Sequence, residues 1–141
     1  MNGIYAESSA VLRWLLGHPD AAALQAALSS ASSVVTSALT SLEVSRCLRR
    51  LTVLGHITDA ERDRVLSTYA AAARHWKVHT ISDSVLARAG EAFPIEPVRS
   101  LDAIHLATAV MFASEVALAA VLSTDERVRD NAEALGLDVA P

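Results

Sequence analysis

Gly3-Ile4-Tyr5-Ala6-Glu7-Ser8-Ser9-Ala10-Val11-Leu12 opens the chain and decides its fold class. Gly3 to Ala6 is a short apolar run and reads as a buried strand. An acid follows at once. Ser8 to Leu16 then reads as a helix, stopped near Gly17-His18-Pro19 because proline halts continuation. The same alternation returns along the chain. Asp20 is placed to cap a helix through Leu28. Ser33 to Thr36 carries Val34 and Val35 and reads as a β-branched strand. Thr40 or Ser41 can cap a helix through Leu54, with Gly55 as its stop. Within it Val44, Cys47, Leu48, Leu51 and Leu54 recur at helical spacing, giving one apolar face.

Thr58-Asp59-Ala60-Glu61 resembles a capping box opening a long helix to about Trp76. Val78 to Ile81 is a strand candidate. Ser82 or Asp83 caps a helix to about Phe93, and Pro94 and Pro97 mark a loop. Ser100 starts a helix through Phe112. Val116 to Leu122 is a compact apolar run whose length, and the Ser-Thr-Asp after it, favour a strand. A helix from Asp125 to Leu135 stops at Gly136, and Leu137 to Val139 forms a terminal strand. Short apolar strands alternating with helices specify α/β architecture with a parallel sheet. Such sheets are covered on both faces, so their strands read as apolar runs. They bind ligands outside the carboxyl ends of the strands.

Composition bounds the alternatives. At 141 residues the chain has the length of one domain, taken as residues 1–141. With 52% hydrophobic residues and a net charge of −4, disorder is excluded. A single cysteine, Cys47, excludes a disulfide scaffold and suits a reducing cytoplasm. The longest apolar stretch, Leu101 to Ala113, falls short of the ~20 residues a spanning helix needs and carries Asp102 and His105. The first residues, Met1-Asn2-Gly3-Ile4-Tyr5, lack the pattern of a secretory signal. A cytoplasmic protein without membrane partners is expected. The negative charge argues against a general polyanion binder, which usually reads strongly basic.

Four carboxylates stand out by position. Glu7 follows the first strand, and Glu43 lies near the start of the third helix. Asp102 opens the most apolar helix, and Asp125 follows the strand ending at Leu122. Gathered at one sheet end they would repel one another, and some would take up protons unless a cation neutralised them. Hard oxygen ligands suit Mg²⁺ or Mn²⁺, and a metal so held can activate water for in-line phosphoryl displacement. Each acid also has a plainer reading. Glu43 and Asp102 could answer a helix dipole, and Asp125 and Glu7 could be caps. Only Asp102, on a nearly all-apolar helix, is unusual in itself.

The order of motifs adds a resemblance. Ile4 to Leu12, with its strand, acid and Ser-Ser-Ala, resembles the opening of the PIN-domain family. Ser41-Leu42-Glu43-Val44 resembles the second family motif. Arg99-Ser100-Leu101-Asp102-Ala103-Ile104-His105-Leu106-Ala107-Thr108-Ala109 is the most specific match. Leu122 to Arg127, through Leu137, resembles the last. The match covers essentially the whole chain and is most similar to the VapC toxins of type II toxin–antitoxin modules.

The resemblance implies a three-layer α/β/α fold and a Mg²⁺-dependent endoribonuclease that slows translation, with Mn²⁺ as a possible substitute. It implies Glu7, Glu43, Asp102 and Asp125 as catalytic metal-site acids, with Glu7 and Asp102 as direct ligands and Asp125 acting through water. Ser9 and Thr124 would support them by hydrogen bonds. RNA is the implied substrate, and a VapB-like antitoxin and a second copy of the chain are the implied partners. No direct DNA binding is expected of the toxin alone. Where the family usually has Asp, this chain has Glu7, one methylene longer.

Other residues carry both a functional and a structural reading. Asp102 and His105 share a helix face at i, i+3, but no second Glu-x-x-His supports a di-metal site, so His105 reads as a structural histidine in or near the core. His18, His56, His75 and His79 read as surface or loop residues. Cys47 reads as a buried small hydrophobe. Arg13, Arg46 and Arg50, with Arg49, form either a solvated face with local pairs such as Glu43–Arg46 or a basic rim for RNA phosphates. Arg74-His75-Trp76-Lys77 mixes cations with an aromatic that could stack a base, but reads first as a basic last helical turn, and Trp14 reads as core or dimer interface. Two other functions compete: a receiver-like phosphoryl acceptor, which lacks its strand-end Asp, and a catalytically weak or inactive PIN-like protein acting through complex formation.

Overall fold

The computed structural model describes residues 3–115 and 117–141. Five parallel strands form one sheet in the order β3-β2-β1-β4-β5, with β1 Gly3–Ala6, β2 Val34–Ser37, β3 Lys77–His79, β4 Leu118–Leu122 and β5 Asp138–Ala140. Among the described residues seven helices join them: α1 Ser8–Leu15, α2 Ala21–Ser30, α3 Ala38–Val53, α4 Asp59–Ala73, α5 Asp83–Ala89, α6 Ser100–Ala113 and α7 Glu126–Ala134. Alternate strand residues point to opposite faces. Tyr5, Val35 and Val121 pack with Leu106, Phe112 and Val128 of α6 and α7. Ile4, Ala6, Val34, Ala120 and Leu122 face α1, α2, α3 and α4, through residues such as Val11, Leu24, Val44 and Leu48. The result is the expected three-layer α/β/α arrangement.

The boundaries follow local chemistry. The capping box is present in full: Thr58 Oγ1 accepts from Glu61 N–H, and the Glu61 carboxylate accepts from Thr58 N–H. Gly55, at φ +77°, takes the left-handed turn that follows α3. Several expectations are corrected. Neither Thr40 nor Ser41 caps α3. Ser37 does, accepting from Leu39 N–H, and Thr40 lies inside the first turn, bonded to Thr36 at 2.7 Å. Asp20 occupies the cap position of α2 without a side-chain cap bond and pairs instead with Arg13 at 2.9 Å. Helix α4 ends at Ala73, so Arg74 to Trp76 lead into β3 rather than forming a basic last turn. Helix α5 stops at Ala89, well before Phe93, and Ile81 lies beyond β3. Val116 falls outside the described residues, as do Met1 and Asn2. No helix among the described residues is long and apolar enough to cross a membrane.

Strand β1 is central, with β2 on one side and β4 on the other. The chain moves from β1 to β2 in one direction, and later enters β4 on the opposite side. A cleft opens at such a reversal, beyond the carboxyl ends of the strands. Ala6 pairs with Leu122 there, and Glu7 N–H donates to the Leu122 carbonyl at 3.0 Å.

Candidate functional site

Glu7 leaves the end of β1 into this cleft, and its side chain is only 4% exposed. It stands at the cap position of α1 but makes no cap bond, so the plain capping reading fails. Three hydroxyls hold its carboxylate instead. Ser8 Oγ donates to Oε1 at 2.9 Å, Ser123 Oγ donates to Oε2 at 2.8 Å, and Ser9 Oγ also donates to Oε2. The adjacent Ser-Ser pair at the start of α1 and the first residue after β4 thus close on one acid. The sequence reading missed Ser123. It also accepts from Asp125 N–H at 3.1 Å, tying the β4 exit to the same carboxylate. Thr124 contributes through its backbone N–H, which donates to Ser9 Oγ at 3.0 Å.

Asp102 lies in the first turn of α6, with its side chain 14% exposed. Burial pushes its carboxyl above the ordinary value; the charges of Asp125 and Glu7 push the same way, and Arg99 opposes them. Glu7, Asp102 and Asp125 therefore share one electrostatic site. Arg99 spans two of them, 3.4 Å from Asp102 and 3.8 Å from Asp125. Asp125 does two things at once. Oδ1 caps α7 by accepting from Arg127 and Val128 N–H, while Oδ2 faces Arg99.

Glu43 sits in the second turn of α3, not the first, so a helix-dipole role does not account for it. Its Oε1 lies 2.6 Å from His105 Nε2, and no Glu43–Arg46 pair forms among the described residues. His105 is 1% exposed and its Nδ1 meets Tyr5 Oη at 2.8 Å. This is the hydrogen-bonded core histidine the sequence suggested. Burial, above all, raises the Tyr5 hydroxyl well above its ordinary value, with Glu7 adding to it, so Tyr5 keeps its proton.

The loop before Asp102 is pinned from α7. Buried Asn131 accepts from Ile95 N–H at 2.9 Å and donates to the Ile95 carbonyl at 3.0 Å. Arg127 donates to the Pro97 carbonyl at 3.1 Å. Arg129 donates to the Ser123 carbonyl at 2.8 Å and the Ala140 carbonyl at 2.6 Å, bracing the β4 exit. Beside Glu43, a surface groove is lined by Leu12, Arg46, Cys47, Arg49 and Arg50. Cys47 is half-buried in that groove rather than fully in the core. Arg13 is engaged by Asp20 and half-exposed. Trp14 packs on Trp76, 6.3 Å between ring centres, and Trp76 on Tyr69 at 6.0 Å, so Trp76 is engaged within the fold.

The PIN domain family model matches residues 4–134. The chain belongs to the PIN-domain family. This PIN chain is 35% identical over 139 residues to Ribonuclease VapC46 of Mycobacterium tuberculosis, covering 99% of itself and 97% of that protein. It is also 35% identical over 147 residues to Ribonuclease VapC35 of the same species, covering 96% and 94%. Its fold is similar to that of Mycobacterium tuberculosis VapC20, a sarcin-ricin loop cleaving toxin, at TM-score 0.67 and 16% identity over 98% of this chain and 99% of that one. It is likewise similar to VapBC2 from Rickettsia felis bound to a promoter DNA fragment, at TM-score 0.66 and 10% identity over 97% and 96%. The homology is thus to VapC-type ribonuclease toxins.

Among the described residues, no three His, Cys, Asp or Glu side chains form a ready metal cage. The donor chemistry nonetheless fits a hard divalent cation. The acids offer oxygen, and Asp102 is pushed up by burial and by two neighbouring carboxylates, an imbalance that a cation relieves.

Proposed function

We propose that this chain is a Mg²⁺-dependent endoribonuclease, with Mn²⁺ able to substitute, and the toxin of a VapBC-type module. The observation that carries the reading is the gathering of three acids at the carboxyl end of the central strands: Arg99 lies 3.4 Å from Asp102 and 3.8 Å from Asp125, and Ser123 ties Asp125 N–H to the Glu7 carboxylate. Glu7 and Asp102 are the direct ligands in this reading, and Glu43 and Asp125 complete the acidic set. A cation bound there supplies charge to phosphoryl oxygens and lowers the cost of ionising water.

The chain's own residues do the positioning. Ser8, Ser9 and Ser123 fix the Glu7 carboxylate, and α7 fixes Asp125. Arg46, Arg49 and Arg50 line a groove that begins at Glu43, where RNA phosphates would meet positive charge. Hydrolysis joins a water oxygen to phosphorus and breaks the P–O3′ bond. The departing 3′ oxygen takes a proton, leaving a 3′-hydroxyl and a 5′-phosphate. Leu42, Val53 and Leu54 of the α3 region are 58%, 81% and 61% exposed, apolar surface that suits a VapB-like antitoxin or a second copy of the chain. The toxin alone acts on RNA in the cytoplasm and does not bind DNA directly.

The test is induced expression followed by mapping of RNA ends across the transcriptome. Discrete new 5′-phosphate ends and arrested translation, both suppressed by co-expression of a cognate VapB-like antitoxin, are expected. A second reading, a weak or inactive PIN-like binding protein, is favoured by one observation: the Glu7 oxygens already accept from three hydroxyls. Under that reading no new ends appear, although the partner complex still forms.

A further inference from the structure

His105 is a polar ring on a helix whose other buried residues are Ala103, Leu106, Ala107, Thr108, Ala109 and Phe112. Burying a polar group costs free energy unless its hydrogen bonds are made. Here both ring nitrogens are used. Nδ1 meets Tyr5 Oη at 2.8 Å and Nε2 meets Glu43 Oε1 at 2.6 Å. Ser8 Oγ stands 3.4 Å from Nε2, and Glu7 Oε1 3.9 Å from it. One nitrogen therefore has an oxygen of two different acids within 4 Å.

Glu43 needs such a holder. Its side chain is 24% exposed, on a helix that carries Arg46 less than a turn further on. Free to rotate, it would reach solvent or that arginine. The bond from Nε2–H turns it inward, toward Glu7. A carboxylate only accepts, so the 2.6 Å bond to Glu43 runs from Nε2–H, and Nδ1 is left to the Tyr5 hydroxyl.

We infer that His105 is a positioning residue: through Nε2–H it holds Glu43 beside Glu7 in the posture that binds a divalent cation. The inference rests on the proposed cation-dependent reading and adds a member that the acids alone do not supply.

The test is Mn²⁺ affinity of the purified full chain, followed by the electron paramagnetic resonance of free Mn²⁺. The chains compared are native, His105→Gln, His105→Asn, Glu43→Ala and the His105→Asn/Glu43→Ala double variant, each checked for a native circular dichroism spectrum. The Gln amide nitrogen reaches the place of Nε2; the Asn amide stops at the place of Nδ1. Loss of a hydrogen-bond partner that orients the acids of a metal site typically weakens binding about 10–100-fold. His105→Asn is expected to fall in that range, and His105→Gln to stay within about 3-fold of native. In the Glu43→Ala background His105→Asn should add less than about 2-fold. Equal affinities for Asn, Gln and native chains overturn the inference and leave the cation site standing. So does an undiminished loss in the Glu43→Ala background, which would mean the ring acts through packing alone. A native chain that binds no Mn²⁺ overturns the cation-dependent reading and the inference with it.

Discussion

Glu7 is held by three hydroxyls, and each is a separate handle on the site. Ser123 is fully buried and both donates to Glu7 and accepts from Asp125 N–H. Ser123→Ala removes both bonds and leaves polar partners unpaired, which costs about 1–3 kcal/mol. Urea denaturation should show that loss. Thr124→Ala should cost much less, because Thr124 joins through its backbone N–H. Asp102 gives a pH signature. Its carboxyl binds a proton more tightly in the folded chain than at its ordinary value of 3.8, so the folded state holds more protons than the unfolded one in that window. Its ionisation therefore costs stability at neutral pH, and the cost fades as pH falls through the raised folded value. Asp102→Asn should raise the Tm of the cation-free protein at pH 7 by on the order of 1–3 °C, a gain lost in acid, by calorimetry in EDTA. The pair lost to Arg99 offsets little of this, since Arg99 is largely exposed.

Asp102 stands out in one dimension as an acid on a nearly all-apolar helix, whereas Glu7, Glu43 and Asp125 each have a plainer local reading and are grouped with it only by the order of the motifs. Ser123 does not stand out, because a serine after a strand reads as ordinary loop. Only the fold brings it 116 positions back to Glu7. His105 was legible as buried, but its partners Tyr5 and Glu43 lie on other elements.

At the scale of elements, boundaries set by local chemistry were readable and those set by tertiary contacts were not. Thr58 and Glu61 satisfy each other within one turn, so the start of α4 could be read from the sequence. Helix α3 starts at Ala38 because Ser37, at the end of a buried strand, caps it, while Thr40 turns its hydroxyl to Thr36 instead. Three hydroxyl residues in five positions, Ser37, Thr40 and Ser41, left that start ambiguous. The loop between α5 and α6 has no local signal beyond its prolines; Asn131 organises it from 36 residues away. Asn131→Leu should destabilise the chain by about 1–3 kcal/mol. Hydrogen exchange should show faster exchange at Ile95, with α4 unchanged. Protection at Ile95 equal to native would show that Arg127 and the loop's own bonds suffice.

For the molecule as a whole, net charge misleads about partners, and its distribution informs. The total is −4, yet Arg46, Arg49 and Arg50 line one groove beside Glu43. Acids at the sheet end and arginines along α3 lie side by side, the arrangement expected of a site that holds a cation and a polyanion together. Single-stranded RNA binding should weaken with salt. Replacing Arg46 and Arg50 together with Ala should flatten the log–log slope by about 1.4, if each meets one phosphate, by fluorescence anisotropy. The α/β/α layering was readable from alternation alone, because each strand is an apolar run bounded by helix signals.

The proposed activity is RNA hydrolysis served by a cation that acids gathered at the end of β1 and β4 would hold. Its most direct test is cleavage of total RNA by the purified chain in Mg²⁺, in Mn²⁺ and in EDTA, comparing native, Glu7→Asp and Asp102→Asn proteins. Native protein should cleave with either cation and not in EDTA, and Asp102→Asn should lose at least about 100-fold of that rate. Undiminished cleavage by Asp102→Asn, or silence of both the native chain and Glu7→Asp on every RNA offered, would contradict it.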